Sequence, residues 1–222
     1  MLAKPLLPQA FWFRFAMPCT KIEGIPRESA LGSLLGLPKA SSLSDLQQLD
    51  EGSRWAEVRV GWNTQGLGLT VIAEGFSPQQ LTERRPEGFA VVTFWVDTRD
   101  TRNVSRATRF CHKFVVRLER GESRGRLNAM VTQRPIARAV ADAPIARCDQ
   151  VPVRAELNKT GWVLELFLPG QVLNGFDPET NRRLGFAYQI ADQIREDQFL
   201  GIGRDFPVGD NPSLWSTLEL RD

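Results

Sequence analysis

Apolar and polar residues alternate at every second position through most of this chain, with β-branched and aromatic side chains on the apolar phase. A period of two places one face of a strand in a core and the other toward solvent. The pattern predicts strands at Phe11–Met17, Ala56–Trp62, Leu67–Ala73, Ala90–Val96, Thr108–Leu118, Leu127–Thr132, Val153–Leu157, Trp162–Leu168, Leu184–Ile190 and Trp215–Leu220. Turn-forming residues separate them, at Asn63 to Gly66, Asp97 to Asn103, Asn158 to Gly161 and Asp210-Asn211-Pro212. Asn, Asp and Gly tolerate the backbone angles a reversal needs, and Pro pre-sets its own. The strand pairs around Asn63–Gly66 and Asn158–Gly161 therefore read as hairpins. Helix is scarce: one short piece is expected at Ser44–Leu49, capped by Ser42 or Ser44, and another at Pro169–Leu173. Many short strands joined by turns predict an all-β, antiparallel β-sandwich with little helix rather than a parallel βαβ sheet.

The 222 residues fit one sandwich domain spanning the chain, with no internal repeat. Two stretches read as insertions. Residues 20–50 are rich in Gly, Pro and Ser, and residues 119–152 carry Arg120, Arg124, Arg126, Arg134, Arg138 and Arg147 among alanines.

Charge changes the picture mainly by exclusion. The 28 basic and 26 acidic residues leave a net +2, too little for a field that would draw in nucleic acid or an anionic membrane. No apolar run approaches the roughly 20 residues that cross a bilayer. Pro5, Pro8 and Arg14 interrupt the apolar start, so it reads as mature chain, with the cytoplasm as the expected compartment. Cys19, Cys111 and Cys148 are widely spaced and read as buried free thiols.

From Trp55 onward the ordered segments WAEVRVGWNTQGLGLTVIAEG, GFAVVTFWVDTRD, RFCHKFVV, GWVLELFLPGQVL, RLGFAYQIAD and NPSLWSTLEL follow one another. This order resembles the family 9 carbohydrate-binding modules and the wider DOMON-like sandwiches over about Trp55 to Leu220. That family shows a hairpin "aW…gLy", an acidic strand end "D.vel.iDtr", then "W..E..iPw..L", "lGf…i.D" and a terminal "W..L.L". The resemblance implies a sandwich fold, a saccharide held between aromatic faces, and a bound calcium ion.

The residues themselves supply candidates, each with a plainer structural reading beside it. Trp162 and Trp215 read as core. Trp62, at a strand end, and Trp95, on a mixed face with Val91, Thr93 and Asp97, are candidate stacking platforms, with core packing as the alternative. Arg99 and Arg102 are candidate ligand-binding residues, since a guanidinium fork suits carboxylates or the hydroxyls of an acidic saccharide; local ion pairing is the alternative. Asp97 and Asp100 are the candidate calcium ligands, although the intervening arginines could neutralise them and make an ordinary surface turn. His112, the only histidine, reads as an inward-facing core residue, with haem ligation alongside Met17 or Met130 a remote alternative. Glu165, matching the Glu of "W..E..iP", reads as structural or metal-proximal. No nucleophile-elbow, P-loop or dinucleotide fingerprint occurs. The expectation is a non-catalytic module with a saccharide or other small ligand as partner. The alternative is a protein-interaction or scaffolding domain of the same fold.

Overall fold

The computed structural model describes residues 7–28, 32–50, 54–75, 89–121, 127–193 and 195–222. Arg124 and Arg126, singled out above, lie outside them. The strands are β1 (Ala16–Lys21), β2 (Ala56–Asn63), β3 (Gly66–Glu74), β4 (Ala90–Asp97), β5 (Cys111–Arg120), β6 (Leu127–Gln133), β7 (Val153–Leu157), β8 (Gly161–Pro169), β9 (Arg183–Asp192), β10 (Gln198–Phe199) and β11 (Ser216–Arg221). They form one sheet in the order β6-β5-β4-β9-β11-β1-β2-β3-β8-β7, with β10 on β9. The sheet folds over until its end strands β6 and β7 approach, giving a barrel-like sandwich.

The alternation places the core as it should. Trp162, Leu164, Leu166 and Leu168 of β8 face Phe94, Phe114 and Phe186 from the opposite layer, all buried. Phe89 meets Trp162 edge-on across the interior, with ring centroids 6.4 Å apart. Two smaller apolar clusters sit on the outer faces. Ile22, Ile25, Leu34, Leu35 and Leu37 pack on Phe167, so part of the 20–50 insertion covers the β2-β3-β8 face. Trp95, Cys111, Ala187 and Trp215 are covered by Ala107, Ile136, Ile202 and Val208.

Both expected hairpins form. At the first, the Asn63 carboxamide oxygen accepts from the amides of Gln65 at 2.9 Å and Gly66 at 3.1 Å. At the second, a Cβ on Gly161 would stand 1.7 Å from the Ala73 carbonyl, so only glycine fits.

Four expectations change. The sheet is mixed, because β1 runs parallel to both β11 and β2. Phe11–Met17 is not a strand. Gln9–Trp12 is a single helical turn, and β1 begins at Ala16. The Asp50 carboxylate fixes that turn by accepting from the free amides of Gln9 at 2.6 Å and Ala10 at 3.4 Å. Strand β5 begins at Cys111 rather than Thr108, since Thr108 and Cys111 close a turn with a 2.9 Å backbone bond. The expected helical pieces are 3-10 turns at Leu46–Asp50 and Gly170–Val172, and Asp45, not Ser42 or Ser44, accepts at the start of the first. No helix among the described residues is long and apolar enough to cross a membrane.

Candidate functional site

Neither sequence-selected tryptophan presents a free face. Trp62 is 1% exposed and points into the core, its Nε1 donating to the Arg221 carbonyl at 3.1 Å. Lys21 and Arg182 lie over its ring at 5.7 and 5.0 Å. Trp95 is on the outer face, as its parity requires, yet is only 3% exposed. The loop at Gly209 reaches its ring, and the Lys113 ammonium sits 5.6 Å from its centroid. Alternation gives the face of a strand but not what lies over that face.

The acidic turn is occupied by its own neighbours. Asp97 is buried, and its carboxylate accepts from the amides of Arg99 at 2.9 Å and Thr101 at 2.6 Å. Asp100, with φ of 46°, accepts from the Thr217 hydroxyl and pairs with Arg102 at 3.0 Å and Arg183 at 3.4 Å. These carboxylates tie the turn to β9 and β11. No group of three or more potential metal-holding side chains occurs among the described residues. Arg102 also donates to Thr217 at 2.9 Å, and Arg99 stacks on Phe110 at 4.9 Å, so both arginines have local contacts.

His112 is buried in the core against Phe114, its Nε2 3.5 Å from the Asn174 carbonyl and its Nδ1 without a partner. Burial pushes its pKa down to about 4, so the ring is neutral at ordinary pH. Glu165 stands on the outer face of β8 and clasps the insertion. Its carboxylate accepts from the amides of Leu34 at 2.7 Å, Leu35 at 3.1 Å and Gly36 at 3.2 Å, and from the Ser33 hydroxyl. That is a structural anchor.

A cleft lies elsewhere, at a break along one edge of β9. Strand β9 pairs with β11 as far as Phe186 and with β10 from Gln189 onward, and Ala187 and Tyr188 fall between. Beside that gap is a cleft of about 260 Å³. Phe11, Phe13, Arg14 and Phe15 line it together with Ser213, Trp215 and Ser216. Three consecutive rings here are exposed: Phe11 at 39%, Trp12 at 65% and Phe13 at 60%. Phe11 is braced by Phe206, stacked at 5.0 Å, and Trp12 meets Phe11 edge-on at 5.9 Å. The sequence signal was the run FWFRF itself, five residues with four rings, which alternation assigned to a strand. Exposed rings around a small, partly polar cleft suit the apolar face of a ring-shaped polar ligand.

No family model and no curated protein sequence matches the chain. Solved structures do. A family 9 carbohydrate-binding module from Caldicellulosiruptor kristjanssonii in complex with cellotriose superposes with a TM-score of 0.58 at 13% identity, over 93% of this chain and 94% of that one. The fold is that of the family 9 carbohydrate-binding modules. A structure of such a module from the same organism in complex with glucose gives a TM-score of 0.57 at 11% identity, over 93% and 96% of the two chains. At that identity the family 9 likeness establishes the fold alone, and the site must be argued from this chain's residues.

Proposed function

We propose that this chain is a non-catalytic saccharide-binding module whose ligand enters the cleft beside β9 and stacks on Phe13. The carrying observation is the exposed pair Phe11 and Phe13 lining a polar-edged cleft, with exposed Trp12 between them in the chain, in a fold of which two solved examples hold cellotriose and glucose. A cleft of about 260 Å³ lies below the usual span for drug-sized ligands, which suits one sugar ring at a time. This reading moves the stacking role from Trp62 and Trp95, which are covered, to the N-terminal rings.

Titration calorimetry against a panel of mono- and oligosaccharides tests it. Phe13→Ala should weaken the best ligand about tenfold, the effect of roughly 1.4 kcal/mol of lost ring contact. Trp12, the most exposed large ring among those described, should report binding by fluorescence. A panel without heat or fluorescence change at millimolar sugar would refute the proposal.

A second reading, protein contact, has its own observation. Val140 and Ile145 are 65% and 96% exposed beside an apolar groove of about 530 Å³ at the start of β5 and end of β6. Its signature would be concentration-dependent self-association in sedimentation velocity, lost in Ile145→Glu.

A further inference from the structure

We infer that the cleft selects a saccharide carrying a carboxylate, and that Arg14 reads that group. The inference rests on the cleft being the binding site.

Arg14 is the only charged residue among the described residues lining the cleft, and no carboxylate lines it. The other arginines nearby have acidic partners: Arg102 and Arg183 pair with Asp100, Arg221 with Glu219 and Arg182 with Asp222. Arg14 forms no ion pair among the described residues. Its one hydrogen bond runs from Nη2 to the Arg102 carbonyl. That bond uses one N–H of Nη2 and leaves one edge of the fork, the second Nη2 N–H and the N–H beside it, to donate. A planar fork held at one corner is pre-organised for a bidentate contact with a carboxylate.

Asp50 accepts from the amides of Gln9 and Ala10. Asp100 is shared between Arg102, Arg183 and Thr217. Neither acid pairs with Arg14, so an anion arriving in the cleft meets a guanidinium with no ion-pair partner among the described residues. Ser213, also in the lining, donates to Asn211 at 2.7 Å, leaving its oxygen lone pairs as acceptors, and Ser216 is a second serine there. The ligand the cleft fits thus has one apolar ring face for Phe13, a carboxylate for Arg14 and hydroxyl donors for the serines. A uronic acid or a uronate-containing oligosaccharide has all of these.

The test compares matched pairs that differ only in the acid: glucuronate against glucose, and galacturonate against galactose, each titrated at low and at 0.5 M salt. The acid should bind about tenfold tighter than its neutral parent, the scale of one charge-assisted contact, and added salt should erode that advantage while leaving the neutral sugar unaffected. In Arg14→Gln the preference for the acid over its neutral parent should vanish. Arg14→Lys, which keeps the charge but not the fork, should retain only part of it. Equal binding of acid and parent, or an acid preference unchanged in Arg14→Gln, overturns the inference and leaves the saccharide reading intact. A Phe13→Ala variant that binds every sugar as the parent protein does would instead locate saccharide binding elsewhere, and this inference falls with the site.

Discussion

Replacing Glu165 by alanine removes the carboxylate that hydrogen-bonds residues 33–36 to the outer face of β8. The amides of Leu34 and Leu35 and the Ser33 hydroxyl lose their acceptor together, while the Gly36 amide keeps the Ser33 oxygen at 2.6 Å. The bond from Leu35 is fully buried, and its orphaned amide alone costs about 1–3 kcal/mol. The amide of Leu34 is part-buried and can turn to water at a smaller cost, about 0.5–1 kcal/mol. Returning a desolvated charge to no charge offsets some of this, so the expected loss is about 1–3 kcal/mol. Glu165→Gln keeps one oxygen acceptor but sets an amide donor against a backbone N–H, and should fall about midway. Urea unfolding gives the stability change, and native-state hydrogen exchange says where it occurs. The amides of Leu34 and Leu35 should lose protection before the β2-β3-β8 strands do, because the clasp can open without the sheet. An alanine variant within about 0.5 kcal/mol of the parent protein, with those amides still slow, would refute the argument that this carboxylate anchors the insertion.

Two further outcomes follow from buried groups. His112 titrates at about 4 when folded against 6.5 as its ordinary value. Between those pH values the unfolded chain holds a proton that the folded chain refuses. Stability from the neutral ring is therefore complete above pH 6.5 and falls as pH drops toward 4, by about 3 kcal/mol in all. Subtracting the urea-unfolding profile of His112→Leu isolates it, and a flat difference curve would exclude it. Among the thiols, burial pushes Cys19 far up and Cys111 to about 11, whereas Cys148 is half-buried. A thiol-exchange reagent should label Cys148 first and slowly, with Cys19 reacting only on unfolding. Rapid labelling of Cys19 in the folded protein would contradict its place in the core.

The strands that alternation predicted best are those whose two faces meet different surroundings. Trp162, Leu164, Leu166 and Leu168 are all in the core, while Gly161, Glu165 and Phe167 face the other way, toward β3 or the clasped insertion. The same rule failed on FWFRF because it cannot weigh Pro8 or see the capping Asp50 about forty residues away. The partners of Glu165 are more than a hundred residues distant, so its role as an anchor was legible only as a carboxylate in an apolar strand. Trp95 failed differently: its face was right, but the loop at Gly209 and the cluster around Ile136 that cover it carry no periodic signal. The parallel placement of β1 was hidden for a related reason, because its register partners lie at residues 217–221.

That placement has a consequence for how the protein is made. In the order of paired strands, β1 stands between β2-β3-β8-β7 and the group around β4 and β9. Strand β1 pairs with β2 at just Thr20↔Gly61 and Lys21↔Trp62, and with β11 along five positions. On the ribosome, β1 emerges well before β11, so its edge toward that partner waits unpaired while the intervening strands are made. That seam closes only once residues 216–221 are available. Holding β1 out of wrong pairings during that interval is a task for whatever meets the nascent chain at the tunnel exit.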